Sequence, residues 1–360
     1  MTDVASSMLW INMKLKDLKY LSALSVPLSV VIGLFLKGYW LFFTPIYIFV
    51  FVPFLELILK EENSNYSEKE AIDRSVDPIF DWLLYLNVPI VYALLIWSLI
   101  EVSLSNLTTY EFVGLILSVG IVLGGNGINV AHELGHRQAS KERFIAKALL
   151  LPSLYMHFYI EHNFGHHLHA ATKEDPATAR YKQSLYSFWI TSTIRQYIGA
   201  WRIQMRLLNN YKLSFFSLRN DMLWYLVLQS SYLIIVFMVF GKIALLFAIL
   251  AAITGFLLLE TVNYIEHYGL LRIKKPSGRY ERVKEIHSWN SNHVIGRILL
   301  YELTRHSDHH FKTSKKYQVL ECHDESPQLP YGYPTSMVLA MFPPLWFSIM
   351  NKRVPREMIS

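Results

Sequence analysis

Cysteine is almost missing from this chain: Cys322 is the only one in 360 residues. A single thiol excludes an intrachain disulfide, a cysteine-ligated zinc site, an iron–sulfur cluster and any module built on paired C-x-x-C motifs. Charged residues are also few, at 17%. Internal repeats and low-complexity tracts are absent. Gly124, Gly125 and Gly127 are followed by no G-K-[ST], so they form no phosphate loop and instead suit helices that approach closely in a membrane. The basic residues are dispersed and build no recognition fold, which argues against nucleic acid as a partner.

What the chain does have is long uncharged runs. Residues 20–36, 39–59, 82–100, 112–131, 222–240 and 243–259 are each close to the ~20 apolar residues that cross a bilayer. They predict an all-α integral membrane protein with six transmembrane helices. The first run follows Lys14, Lys16 and Lys19 with no small-residue cleavage site behind it, so it reads as an anchor and not a removed signal peptide. The short outer connections hold Lys37, Glu101, Glu111 and Lys242, whereas 137–219 and 272–356 carry most of the positive charge. The positive-inside rule then puts both termini on the cytoplasmic side and accounts for the net charge of +6. One integral-membrane domain over 1–360 is expected, with cytoplasmic insertions at 132–221 and 261–360. The polar stretch 60–81, with Pro78, reads as a loop with a short helix, and 144–160 as one buried or interfacial helix.

Nine of the 14 histidines gather where the apolar runs end: His132 and His136; His162, His166 and His167; His267; and His306, His309 and His310. Spacing of i, i+4 brings His132 and His136 onto one helix face, repeats in His162 and His166, and recurs with i, i+3 in the third cluster. The doubled histidines can aim neighbouring rings at two metals. Nine imidazoles exceed what one first-row ion binds but suit two, with four on one and five on the other. Neutral imidazole serves iron, zinc, copper and nickel alike, so the donors do not name the metal. His267 has no paired partner and is included for its helix-end position. His157, His169, His287, His293 and His323 lack depth and pairing and are left out.

Glu133, Glu161, Glu266 and Asp308 adjoin these histidines and could accept from the outer imidazole nitrogens, fixing tautomer and basicity. Asp175-Pro176 with Arg180 reads as a turn closed by an ion pair. His132-Glu-Leu-Gly-His136 also matches H-E-x-x-H, with Glu133 as general base of an intramembrane zinc protease, although that reading leaves the other clusters unused. A metal transporter would need ionisable groups in mid-membrane, and the apolar runs have almost none.

The segments HELGHR, EHNFGHHLHAATKEDPATAR, NYIEHYGLLR, HSWNSNH and LTRHSDHHFKTSKKYQ resemble, in order and spacing, the membrane-bound alkane 1-monooxygenases of bacteria. The likeness runs from the first span to Pro344. The related desaturases carry H-x-x-H-H in both later clusters, whereas this chain has H-N-x-G-H-H. Arg137 stands where that family usually has lysine, and HLHAAT, with His169, where HxxVAT is common. The resemblance implies a six-helix enzyme of the bacterial inner membrane, active site towards the cytoplasm, with two non-haem iron ions. It implies terminal hydroxylation of alkanes by dioxygen, with electrons from rubredoxin and a NAD(P)H-dependent rubredoxin reductase upstream. It also implies His267 as the ninth ligand, through NYIEHYGLLR, and Ile48, by rough alignment, as a side chain in the substrate channel that limits chain length. A fused rubredoxin is excluded by the lone cysteine. Arg137, Lys141, Arg143, Lys312, Lys315 and Lys316 flank two histidine clusters and form the expected docking patch for that acidic donor. Related oxygenases acting on aromatic methyl groups or fatty acyl chains are the nearest alternatives.

Overall fold

The computed structural model describes residues 15–59 and 61–359; Lys14, Lys60, Ser360 and the side chain of Lys16 lie outside what it describes. Backbone amides in hydrocarbon have no water to bond, so apolar runs close their own hydrogen bonds as helix. The regular secondary structure of the described residues is helical, with three isolated β-bridges besides. In chain order they are α1 (Asp17–Leu36), α2 (Gly38–Ile58), α3 (Glu68–Val76), α4 (Pro78–Leu104) and α5 (Thr109–Gly135). The rest are α6 (Ser140–Leu150), α7 (Phe158–Glu161), α8 (Leu185–Asn210), α9 (Asp221–His267), α10 (Val294–Leu299), α11 (His306–Phe311), α12 (Tyr333–Ala340) and α13 (Pro343–Met350).

Among the described residues, five helices rather than six are long and apolar enough to cross a membrane: α1, α2, α4, α5 and α9. The difference arises at Gly241, whose φ of 85° and ψ of −179° break the 47-residue α9 without an intervening loop. Glycine has no Cβ and takes this left-handed φ at little cost. The chain reverses there. Phe240 accepts from Ser103 Oγ at the far end of α4 (2.8 Å), whereas Asp221 pairs with Lys147 (2.6 Å) and His267 meets His306, both at the opposite end.

Two further expectations change. Pro78 stands in the first turn of α4, where its missing N–H costs nothing and Asp77 caps the helix through Ile79 N (3.0 Å). Residues 144–160 are not one helix, because Pro152 cannot continue α6 and a series of turns leads to α7.

α5 is the most enclosed span among the described residues, with 83% of its most apolar stretch buried. It packs on α9 through small residues: a Cβ on Gly124 would lie 2.9 Å from the Leu258 side chain and 3.1 Å from the Gly255 carbonyl. Such close approach is the usual way membrane helices gain contact area. Over the histidine end, the segments after α5 and α9 close a cap. Buried Arg305 donates to Leu320 O (2.6 Å) and Ser64 O (3.0 Å), and Glu302 accepts from Arg297 Nε and Tyr20 OH (both 2.7 Å). These charge-assisted bonds tie α1, residues 61–67 and the cap into one frame.

Candidate metal centre

His132 lies in the last turn of α5 and His136 just past it; His267 ends α9; His306, His309 and His310 occupy α11. The remaining three follow α7 in a π-helical turn, His162–His166, and its continuation. That turn alters the expected pairing. With i→i+5 bonding, His162 faces His167, and His166 is turned to the other side.

The nine imidazoles fall into two adjacent groups: His132, His136, His162, His167 and His309; and His166, His267, His306 and His310. In the first, Nε2 of His136 lies 3.4, 3.1 and 3.2 Å from those of His132, His162 and His167, and the last two are 2.9 Å apart. The His309 ring is 4.6 Å from that of His132, centroid to centroid. In the second, His310 Nε2 is 3.1 Å from His166 and 2.9 Å from His306, which is 3.1 Å from His267. The doubled histidines divide, His167 and His309 to one group and His166 and His310 to the other, with the His167 and His310 rings 4.8 Å apart.

These spacings test whether the residues fit metal ions. Nitrogens about 2.1 Å from one ion lie about 3.0 Å apart at right angles and about 3.4 Å apart at tetrahedral angles. The observed 2.9–3.4 Å spans that interval. Protons cannot satisfy such clusters, since each neutral imidazole has one N–H and several acceptor nitrogens face each other. Burial, then neighbouring imidazoles, hold His136, His162, His167, His306 and His310 well below the ordinary histidine range, and burial pushes His309 down to about 3. They are therefore neutral, the form that ligates metal.

The carboxylates behave differently from expectation. Glu133 is held by Arg137 (2.7 Å) and accepts from Tyr317 N (3.2 Å). Asp308 accepts from Lys315 (2.7 Å), Glu321 N (2.8 Å) and His323 (2.8 Å). Glu161 has a buried oxygen without a partner, and burial, with Asp175 and Glu260 nearby, raises it well above the carboxylate range. Glu266 alone meets an imidazole of the two groups, with Oε2 3.3 Å from His306 Nε2, the inward nitrogen, while Oε1 accepts from Tyr333 OH (2.9 Å). A neighbour in a helix points about 100° away from the ligand, so it does not reach the outer nitrogen. That role belongs to Asp175, whose Oδ2 accepts from His166 Nδ1 at 2.9 Å. Asp175 does not pair with Arg180 as expected; its Asx turn, with Ala177 N (3.1 Å) and Thr178 Oγ1 (2.5 Å) donating, aims it inward. The D-P-x-T spelling was the available signal.

The five omitted histidines stand outside both groups. His157 is packed between Tyr155 and Tyr197, and burial pushes it down to about 3. Half of the expected docking patch is neutralised. Arg137 is buried against Glu133 and 3.5 Å from Asp81, Lys315 bridges Asp308 and Glu321, and Lys316 pairs with Asp81 (2.9 Å). Lys141 sits over the Tyr85 ring, Arg143 donates to Gln138 O, and Lys312 is exposed.

An apolar cavity lies between α1, α2, α5, α9 and the cap, walled by Val26, Ile48, Phe49, Ile121, Leu258 and Met337 among others. It reaches Tyr333, the residue hydrogen-bonded to Glu266, and so adjoins the second histidine group.

A family model described as fatty acid desaturase matches residues 108–337. The chain is 39% identical over 343 residues to alkane 1-monooxygenase 1 of Alcanivorax borkumensis, covering 93% of this chain and 85% of the relative. It is 37% identical over 340 residues to alkane 1-monooxygenase 2 of Pseudomonas aeruginosa, covering 93% and 90%. At 29% over 337 residues, covering 91% and 85%, it is similar to the hydroxylase component of xylene/toluene monooxygenase from Pseudomonas putida. With identity of this level over nearly the whole of both chains, and with two buried imidazole groups beside an apolar cavity in a multi-pass helical bundle, the chain belongs to the alkane 1-monooxygenases and is a monooxygenase.

Proposed function

We propose that the protein hydroxylates the terminal methyl group of alkanes to 1-alkanols at a pair of non-haem iron ions, with electrons from a rubredoxin served by a NAD(P)H-dependent reductase. The observation that carries this reading is the juxtaposition of two imidazole-only groups with an apolar cavity opening among membrane helices. When bound, the iron pair supplies dioxygen activation, one oxygen atom entering the C–H bond and the other leaving as water.

The chain's own residues do the rest. His132, His136, His162, His167 and His309 would hold one ion, and His166, His267, His306 and His310 the other. Asp175 fixes the His166 tautomer by keeping the proton on Nδ1. The Tyr333 hydroxyl keeps its proton on the bond to Glu266 Oε1, between the cavity and the second group. The cavity takes an apolar chain out of the lipid and excludes water; Ile48, on its wall, would set the depth a chain reaches. Its lining also admits the aromatic-methyl alternative, which the similarity to the xylene/toluene component keeps open.

The hairpin at Gly241 would make α9 cross twice, giving six spans, with the histidine end in the cytoplasm by the distribution of Lys and Arg. His136 and His167 form the more exposed edge of the centre, which suits electron entry there, with Lys141, Arg143 and Lys312 as the cations left free of carboxylates. A zinc protease is disfavoured, because Arg137 holds Glu133 and five donors surround the site where a protease keeps an open position. The test is metal analysis of purified protein followed by product identification with linear alkanes and xylenes. Two iron per chain and 1-alkanols are expected; zinc, or aromatic products alone, would overturn the respective part.

A further inference from the structure

Residues 185–220 hold five cations, Arg195, Arg202, Arg206, Lys212 and Arg219, and no aspartate or glutamate. Most of this stretch is α8, which turns an apolar stripe outward, unlike a helix on the surface of a water-soluble protein. Its inward face mixes apolar residues with polar ones that are paired: Ser192 Oγ and Gln196 Nε2 donate to Glu260 (2.6 and 2.8 Å), and Gln204 Nε2 donates to Arg219 O (3.1 Å). Its outward face is apolar, with Ile190 65% and Ile194 55% exposed and Tyr197 and Ile198 beside them. At about 100° per residue, Arg195, Arg202 and Arg206 form one row along the edge of that stripe. All three are exposed, and none has a carboxylate partner among the described residues.

The placement of α8 is equally telling. Near its start, Trp189 Nε1 donates to Thr261 Oγ1 (3.0 Å) and Phe188 packs on Tyr264, at the end of α9. Near its finish, Trp201 stacks on Phe215 and Gln204 reaches Arg219, in the short loop that leads into the beginning of α9. Both ends of α9 are at the histidine end of the bundle, so α8 runs across the span ends and not along them. The loop that follows continues the pattern, with Phe216 83% and Leu218 81% exposed beside Lys212 and Arg219.

We infer that α8 and the loop 211–220 lie in the plane of the headgroup layer, apolar stripe towards the acyl chains, with Arg195, Arg202 and Arg206 binding the phosphates of anionic phospholipids. A basic row beside an apolar stripe is what such in-plane helices require, and guanidinium pairs well with phosphate. A second copy of the chain is a poorer occupant, since the stretch offers no acidic residue to meet its own arginines. The inference is independent of the reaction at the histidines.

The full chain in detergent, titrated with phosphatidylglycerol or phosphatidylcholine and followed by thermal unfolding, tests it. Phosphatidylglycerol should raise the midpoint of the wild type; the R195Q/R202Q/R206Q variant should need at least about tenfold more of it, with an unchanged midpoint in phosphatidylcholine. Equal responses of the two proteins, or equal effects of the two lipids, would overturn headgroup binding. A spin label at Ile194→Cys, in a Cys322→Ser background reconstituted in mixed vesicles, should be open to oxygen and shielded from a water-soluble nickel chelate. Accessibility to the chelate equal to that of a label at Asn210→Cys, or a disulfide between copies through position 194, would overturn the in-plane placement.

Discussion

Asp175→Asn isolates the one carboxylate that orients an imidazole of the centre from behind. In the wild type His166 Nδ1 donates at 2.9 Å to a carboxylate with no exposed side-chain surface. A charge-assisted bond of this kind contributes about 1.5–3 kcal/mol, or about 10–150-fold in an equilibrium constant. Asparagine preserves the shape but has one accepting oxygen where three donors converge, from His166, Ala177 and Thr178. The amide NH2 would face either Ala177 N or both His166 and Thr178, so the His166 bond is lost or, where it persists, loses its charge assistance. Iron affinity in the group of His166, His267, His306 and His310 should fall about 10–100-fold, as is usual when the partner behind a ligand is lost. The assay is iron retained per chain against chelators of graded strength, with turnover measured alongside and unfolding midpoints to confirm the fold. Thr178→Val, which keeps the carboxylate, should lose much less. A folded Asp175→Asn protein with wild-type iron retention and turnover would refute the reasoning; equal losses in both variants would mean that the turn, not the charge, matters.

His267→Ala removes one of four converging nitrogens and should cut iron to about one per chain with loss of turnover; full iron content would exclude His267 as a ligand. Ile48→Trp adds bulk to the cavity wall and should shift the product profile towards shorter alkanols, measured by chromatography over a chain-length series; an unchanged profile would remove Ile48 from the substrate path. His157 has a folded pKa of about 3, below its unfolded value of about 6.5, so the unfolded state binds the extra proton between these values. Stability from its neutral burial is complete above about pH 6.5 and is lost as the pH falls towards 3. At pH 5 the loss is about 2 kcal/mol, and His157→Phe should unfold with a correspondingly smaller drop between pH 7 and pH 5. An identical drop in both proteins would be inconsistent with a neutral buried His157.

The spans and the histidine clusters were legible because both are written at short range. An apolar run reports its own burial, and a spacing of three to five residues reports a helix face whatever lies beyond. The assignment of each ring was less legible. His162 and His166 look alike at i, i+4, and a single π-turn, which no residue of HNFGH announces, sends them to different groups. The carboxylates next to the ligands drew attention by proximity in sequence, yet helix geometry turns them aside; Glu133 answers Arg137, and Asp308 answers Lys315. Cations suggested a docking patch, but Asp81, more than 50 residues before Arg137 in the chain, neutralises part of it.

Composition and periodicity therefore specify a membrane-spanning helical chain with nine imidazoles at one end, since hydrophobic transfer and helix spacing are local properties of the sequence. Which nitrogens converge, which carboxylate stands behind them and where the apolar cavity meets them depend on contacts between distant segments. His166 meets His310, Tyr333 meets Glu266, and the helix reversal at Gly241 brings His267 back to the others. Such contacts form only when the whole bundle packs, because each is the sum of many weak terms that no single segment contains.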